Sequence, residues 1–314
     1  MRAAKKMKDS PAKTAGKTVK LETVREAEEK RLGVMKTYKI FIGGKFPRTE
    51  SGRYYEVRSP ADELLANVCL SSRKDLKAAV VAAREAFEKW SKAAAYNRGQ
   101  ILYRMAEMLE GRREQFAAEL CSLGEPRKNA LKEVNASIDR LVYYAGWSDK
   151  YQQLFSSVNP VSSNHFNFSV PEPTGVVGII APEESPLLGL VSVIAPTIVG
   201  GSACVVLASH SKPLPAVTLT EVLGTSDLPG GVVNLLTGAR KELLGQFASH
   251  MDVNAVIYCG DSKAEITEVQ EKAALNIKRV ILLDRSNWAA AEAESPYEIM
   301  RTQEIKTTWH PVGL

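Results

Sequence analysis

A chain of 314 residues is long enough for one large or two modest domains, and its 45% apolar and 25% charged content is that of an ordinary globular protein. No run of eighteen apolar residues and no signal-peptide core occurs, which argues against a transmembrane helix or secretion and for the cytoplasm. The net charge of +5 is concentrated in the first twenty residues, where seven Lys or Arg face one acidic residue. The remainder is close to neutral, so no nucleic-acid partner is expected except through that tail.

Residues 1–37 read as a basic leader followed by a short helix. The leader (Ala3-Ala-Lys-Lys-Met-Lys, then Pro11-Ala-Lys-Thr-Ala-Gly-Lys) has no aromatic residue and little to bury, which is the composition of a disordered, solvated segment. Residues 21–37 carry opposite charges at i,i+4 spacing, a pattern that supports a solvated helix.

Residues 38–154 open with small strands: Lys39-Ile-Phe-Ile42 precedes Gly43-Gly44, a hairpin signal, and Tyr54-Tyr-Glu-Val57 runs into Ser59-Pro60. Three amphipathic helices follow. Ser72-Arg-Lys-Asp75 resembles a capping box, after which Leu76, Val80, Ala83, Phe87 and Trp90 fall on one face. Ile101, Met105, Met108, Leu109, Phe116 and Leu120 mark a second helix, stopped near Gly124 and Pro126, and Leu131, Val134, Ile138, Leu141 and Ala145 a third. These stripes are read as core.

Residues 155–173 and 296–314 form a further unit. His165-Phe-Asn-Phe-Ser-Val170 alternates apolar and polar between turn-rich flanks and reads as an exposed hairpin. Glu304-Ile-Lys-Thr-Thr-Trp309 alternates likewise. An alternating strand of this kind needs a sheet to join, since an unpaired apolar edge invites aggregation. Pairing with the 155–170 hairpin, within the chain or across a subunit boundary, would cover it. His165, Phe166, Phe168, Ile305, Thr307 and Trp309 are the candidate interface residues.

Residues 174–287 alternate strand-like runs with helical segments, the pattern of a parallel sheet with crossover helices. The runs are Gly175–Ile180, Cys204–Leu207, Val232–Leu236, Ala255–Tyr258 and Val280–Asp284. The ligand-binding ends of such strands carry Glu183-Glu184, Ala208-Ser209 and Asp261, a poor set for a dinucleotide. The four cysteines lie far apart with no C-x-x-C, and no histidine stands at metal-site spacing, so neither a metal nor a disulfide framework is expected. Cys259 is expected to be a buried small residue whose thiol a nearby Asp261 would raise. The adjacent carboxylates of Glu183 and Glu184 are expected to point into water.

Phe41-Ile-Gly-Gly-Lys-Phe, Ser51-Gly-Arg-Tyr-Tyr-Glu-Val-Arg-Ser-Pro60, Ala82-Ala-Arg-Glu-Ala-Phe-Glu-Lys-Trp90 and Tyr143-Tyr-Ala-Gly-Trp147 occur in that order. They are followed by Glu172-Pro-Thr-Gly-Val-Val-Gly-Ile-Ile-Ala-Pro182 and Asp227-Leu-Pro-Gly-Gly-Val-Val-Asn-Leu-Leu-Thr-Gly238. With these stretches the chain resembles the aldehyde dehydrogenase superfamily from about Tyr38 to Trp309, most of all the non-catalytic second half of its family-16 members. The resemblance implies an α/β fold with a Rossmann-type parallel sheet, an N-terminal helical region and a small oligomerisation hairpin and strand.

The departures from the family pattern bear on function. Family enzymes carry Pro-Trp-Asn-x-Pro, whose Asn helps form an oxyanion hole; here Pro182-Glu-Glu-Ser-Pro186 puts Glu184 at that position. Losing one such donor typically costs ~10²–10³-fold in rate. Lys-Pro-Ser-Glu, which holds the adenosine ribose, becomes Ala208-Ser-His-Ser211, so Ala208 and Ser211 stand at degenerate positions. Phe-Thr-Gly-Ser becomes Tyr258-Cys-Gly-Asp261, placing Asp261 where it would cap the following helix itself and repel a phosphate. Leu283 stands at the general-base position, and the Gly-Gln-x-Cys nucleophile segment does not occur. The resemblance therefore implies that the catalytic domain is absent and NAD binding lost or weak. The expected protein is a pseudoenzyme that oligomerises with itself or a full-length aldehyde dehydrogenase. A nucleotide-binding regulatory protein and, last, an NAD(P)-dependent aldehyde oxidoreductase are the alternatives.

Overall fold

In the computed structural model, residues 34–285 and 287–313 are described. The expected leader and most of the charged helix at 21–37 lie outside them. The described chain begins with β1 (Thr37–Tyr38), β2 (Tyr54–Arg58) and β3 (Leu64–Cys69), a small sheet in the order β1-β3-β2. Then come α1 (Arg73–Trp90), α2 (Ala95–Glu110), α3 (Arg113–Ser122), α4 (Arg127–Trp147) and α5 (Tyr151–Phe155). The start of α1 is the expected capping box: Ser72 Oγ accepts the Lys74 amide (3.2 Å) and the Asp75 carboxylate accepts the Ser72 amide (2.7 Å).

The expected second helix is two, α2 and α3, parted at Gly111-Arg112. Leu109 and Phe116 stand seven residues apart, two helical turns, so the apolar period runs through the break and conceals it. The expected two-residue turn at Gly43-Gly44 is present: the glycines have φ of +60° and +77°, and Ile42 and Lys45 exchange both backbone hydrogen bonds (3.0 Å each), although the pairing goes no further. The preceding residue, Phe41, exchanges both backbone hydrogen bonds with Leu235 (2.9 and 2.8 Å), docking the segment on the edge of the large sheet.

That sheet contains β6 (Val176–Ile180), β7 (Ala203–Leu207), β8 (Val233–Leu236), β9 (Ala255–Cys259) and β10 (Arg279–Leu283), all parallel, in the order β10-β9-β6-β7-β8. The helices that link these strands are α6 (Leu188–Val199), α7 (Leu214–Gly224), α8 (Arg240–Ser249) and α9 (Lys263–Ala274). Successive residues of each strand face opposite sides, and in β6, β7, β8 and β9 both sides are buried. Val177, Ile179, Cys204 and Val206 pack with α2, α3, α4, α6 and α7, while Val176, Ile180, Val205 and Leu207 pack with α1, α8 and α9. Burial on two faces is why these strands read as unbroken apolar runs.

A third sheet has β4 (Ser157–Asn159), β5 (His165–Pro173) and β11 (Gln303–Pro311) in the order β11-β5-β4, antiparallel. The alternating terminal segment thus finds its sheet within the chain, pairing with β5 over nine positions from Gln303↔Pro173 to Pro311↔His165. Between β10 and β11 the chain makes a single 3₁₀ turn at Ala291–Ala293 and a short helix α10 (Tyr297–Met300).

Candidate functional site

The connections leaving β6 and β9 run to opposite sides of those neighbouring strands, which opens a crevice at their carboxyl ends, the position where α/β sheets take ligands. A cleft of about 750 Å³ lies there, walled by Pro182, Leu188, Cys259, Leu283 and Trp288 and rimmed by charged side chains.

Glu183 does not point into water. Its carboxylate accepts hydrogen bonds from Ser209 Oγ (2.7 Å), the amides of His210 (3.0 Å) and Ser211 (3.2 Å), and Ser211 Oγ (3.0 Å), all in the loop after β7. Arg240 completes the set, its Nε 3.0 Å from the other carboxylate oxygen. Burial pushes the Glu183 pKa up, but the Ser209 hydrogen bond, the Arg240 charge and the loop amides together outweigh it and hold the group below its usual value. Glu184 behaves as expected for a loop carboxylate: its side chain is 90% exposed, 3.6 Å from Lys212 Nζ.

Arg240 was not singled out by sequence. Its guanidinium donates to the carbonyls of Ala181 and Cys259 (2.5 and 3.3 Å), at the ends of β6 and β9, and so spans the crevice between them. It also lies 3.5 Å from Glu265 and 5.8 Å from the centre of the Tyr258 ring. A usable signal existed, because a cation in the first turn of a helix opposes the helix dipole unless a carboxylate recruits it.

Cys259 is buried, as expected, and its thiol is pushed up to about 12, but the cause is burial; Arg240 and Arg285 pull the other way. Asp261 plays no part in that shift, contrary to expectation, and it does not cap α9. Ser262 is the N-cap, its Oγ accepting the Glu265 amide (3.4 Å), while Asp261 stays exposed on the cleft rim. Leu283 is buried in the cleft wall, Ala208 is buried and does not line the cleft, and Ser211 is on the surface holding Glu183. Among the described residues no group of His, Cys, Asp or Glu is arranged to hold a metal ion.

The six candidate interface residues do not form one surface. Register puts His165, Ile305, Thr307 and Trp309 on one face of the third sheet, where Thr307 Oγ1 meets Ser169 Oγ at 2.8 Å and the His165 and Trp309 rings pack edge to face. Phe166 and Phe168 lie on the opposite face beside Val158, their ring centres 5.6 Å apart.

Sequence reasoning also missed a brace on the connection from β10 to β11. Arg140, in α4 and 3% exposed, donates to Trp288 O (3.1 Å), Ala293 O (2.9 Å), Glu294 (2.9 Å) and Ser192. Glu298 pairs with Arg285 and Arg301 in the same stretch.

A profile of the aldehyde dehydrogenase family matches residues 46–286. The chain belongs to the aldehyde dehydrogenase family. It is 33% identical over 263 residues to the cytosolic 10-formyltetrahydrofolate dehydrogenase of Mus musculus, covering 82% of this chain and 29% of that protein. It is 34% identical to a mitochondrial aldehyde dehydrogenase of Leishmania tarentolae and 31% identical to an omega-crystallin of Nototodarus sloanii, covering 78% of this chain in both comparisons. The chain spans 49% and 50% of those two relatives. Among solved structures, the NAD+ complex of an aldehyde dehydrogenase from Bacillus cereus superposes with a TM-score of 0.75 at 30% identity, over 79% of this chain and 50% of that one.

Proposed function

We propose that this protein is a non-catalytic member of the aldehyde dehydrogenase family that assembles with a second copy or with a complete aldehyde dehydrogenase, in a structural or regulatory role. The observation that carries the reading is the Glu183 carboxylate seated among the hydroxyls and amides of the loop after β7. In the family pattern that loop holds the adenosine ribose of the dinucleotide. Here its donors are used by the protein itself, Arg240 spans the neighbouring crevice, and Asp261 and Glu184 add negative charge at the rim. These residues do not fit NAD, whose pyrophosphate is an anion.

The chemistry of acyl transfer needs an ionised nucleophile and a base, and the positions at which the family carries them hold neither here. Cys259 is held protonated by burial, and Leu283 stands at the family's general-base position. The braced connection from β10 to β11 leaves the family's nucleophile segment no place between them. The partner would engage the third sheet, whose long strand β11 presents Ile305, Thr307 and Trp309 to solvent. Four unpaired cysteines suit the reducing cytoplasm, where we place the protein.

Co-expression with a complete aldehyde dehydrogenase, followed by mass photometry of the protein alone and in mixture, tests assembly; a strictly monomeric species in both defeats it. Incubation with NAD+ and a panel of aldehydes is expected to give no NADH. A nucleotide-sensing subunit is the second reading, favoured by the volume of the cleft, and calorimetry with NAD, NADP and ATP discriminates: no heat removes it.

A further inference from the structure

Four hydrogen-bond donors and one cation converge on the Glu183 carboxylate: the hydroxyls of Ser209 and Ser211, the amides of His210 and Ser211, and the Arg240 guanidinium, its Nε 3.0 Å away. Successive amides aimed at a common centre form an anion-receiving concavity, and the guanidinium adds a full charge. The loop is fixed from above by β2, because Tyr55 hydrogen-bonds His210 O (3.3 Å) and stacks on the His210 ring at 4.6 Å. Lys212 closes it from below, its amide bonding Ser209 Oγ (3.0 Å). The donors are therefore positioned by neighbours other than the group they hold.

We propose that Ser209, His210, Ser211 and Arg240 form an anion cradle whose resident ligand is the chain's own Glu183 carboxylate, and that inorganic phosphate or acetate takes the same seat when that side chain is removed. The proposal rests on the functional reading above and extends it: the loop after β7 is occupied by an internal ligand, with its own donors in place. Glu265 is the competing acceptor nearest Arg240, but Tyr258 Oη holds it at 2.7 Å, 3.5 Å from the guanidinium. Without the Glu183 carboxylate the amides of His210 and Ser211 lose their acceptor, Ser209 Oγ keeps the residue-183 carbonyl (3.2 Å) and Ser211 Oγ (3.3 Å), and Arg240, 15% exposed, keeps Glu265 at 3.5 Å as its charged partner.

Thermal melts of the full-length wild type, Glu183→Ala and Glu183→Ala/Arg240→Ala in chloride, acetate and phosphate at equal ionic strength test this. Wild type is expected to show only the general stabilisation that phosphate and acetate give over chloride. Glu183→Ala is expected to melt on the order of 5 °C below wild type in chloride and to close at least half of that gap in phosphate or acetate. The double variant is expected to close none of it. A gap between Glu183→Ala and wild type that is the same in every salt overturns the proposal. If Glu183→Ala is recovered from expression in no salt, the isosteric Glu183→Gln is melted instead: a drop supports an anion as the required occupant, and wild-type melting overturns it. Assembly and NADH production are untouched by these outcomes, so the cradle and the functional reading fail separately.

Discussion

Glu183 and Glu184 are chemically identical neighbours, and their surroundings give them opposite roles. One is clasped by a loop and an arginine; the other reaches into solvent. Because the folded pKa of Glu183 lies below its usual 4.5, the ionised carboxylate stabilises the fold above that value, and the contribution is lost as pH falls through the folded pKa. Glu183→Gln should therefore be less stable than wild type at pH 7, with the gap closing as urea midpoints are followed down to pH ~3. Glu184→Gln, at a side chain 90% exposed, should match wild type at pH 7 to within ~0.5 kcal/mol. The thiols divide in the same way. Cys259 and Cys204 are buried with raised pKa values, and iodoacetamide at pH 8 should leave them unmodified in the native state while alkylating the half-buried Cys121, read by mass spectrometry. Of the positions the resemblance pointed to, Glu184 and Leu283 line the cleft and Ala208 does not. Residue identity could not tell that Glu183 is held, because the holding donors are two backbone amides and an arginine distant in sequence.

At the level of elements, β6, β7 and β9 were legible because burial on both faces makes each an unbroken apolar run, while β8, with the buried Asn234, and the edge strand β10 were legible from shorter runs. The motif Leu228-Pro-Gly-Gly231 was legible for a steric reason. Gly231 has φ of +95°, and a Cβ there would lie 2.6 Å from Ala82 O on α1, so only glycine lets β8 approach that helix. What sequence did not reveal were features with no period of their own: the break between α2 and α3, the docking of Phe41 on Leu235, and the brace from Arg140. Arg140→Ala tests that brace. It removes a buried cation and leaves Ser192 Oγ, two carbonyls and Glu294 without their donor. Since Glu294 is partly solvated, the loss should fall at the low end for a buried pair, ~3 kcal/mol in urea denaturation. A loss under ~1 kcal/mol would mean that the stretch from Trp288 to Glu294 is not held by this arginine.

For the whole molecule, the third sheet decides how the chain could meet a partner. β11 is nine residues long and pairs on one side only among the described residues, with β5, so its far edge carries unsatisfied backbone groups. The sheet's two faces differ in chemistry. Beside Ile305 and Trp309 runs a polar row in which Asn159 Nδ2 bonds Asn167 (2.6 Å) and Ser169 (2.8 Å), and Ser169 meets Thr307. The other face carries Val158, Phe166 and Phe168, with Lys306 paired to Glu172 at its border. The alternation of these strands was readable, but not which residues share a side, because that depends on the register set by pairing. Two double variants separate the faces. Ile305→Lys/Trp309→Lys places like charges along the outer strand, and Val158→Lys/Phe166→Lys places them on the apolar face. All four positions are exposed, so each variant should change the monomer's stability by less than about 1 kcal/mol. A partner that extends the sheet from β11 must bring its strand past Ile305 and Trp309, so the first pair should abolish the assembled species in mass photometry and the second should leave it. The reverse result would move the contact to the phenylalanine face, and assembly untouched by both pairs would remove the third sheet from the interface.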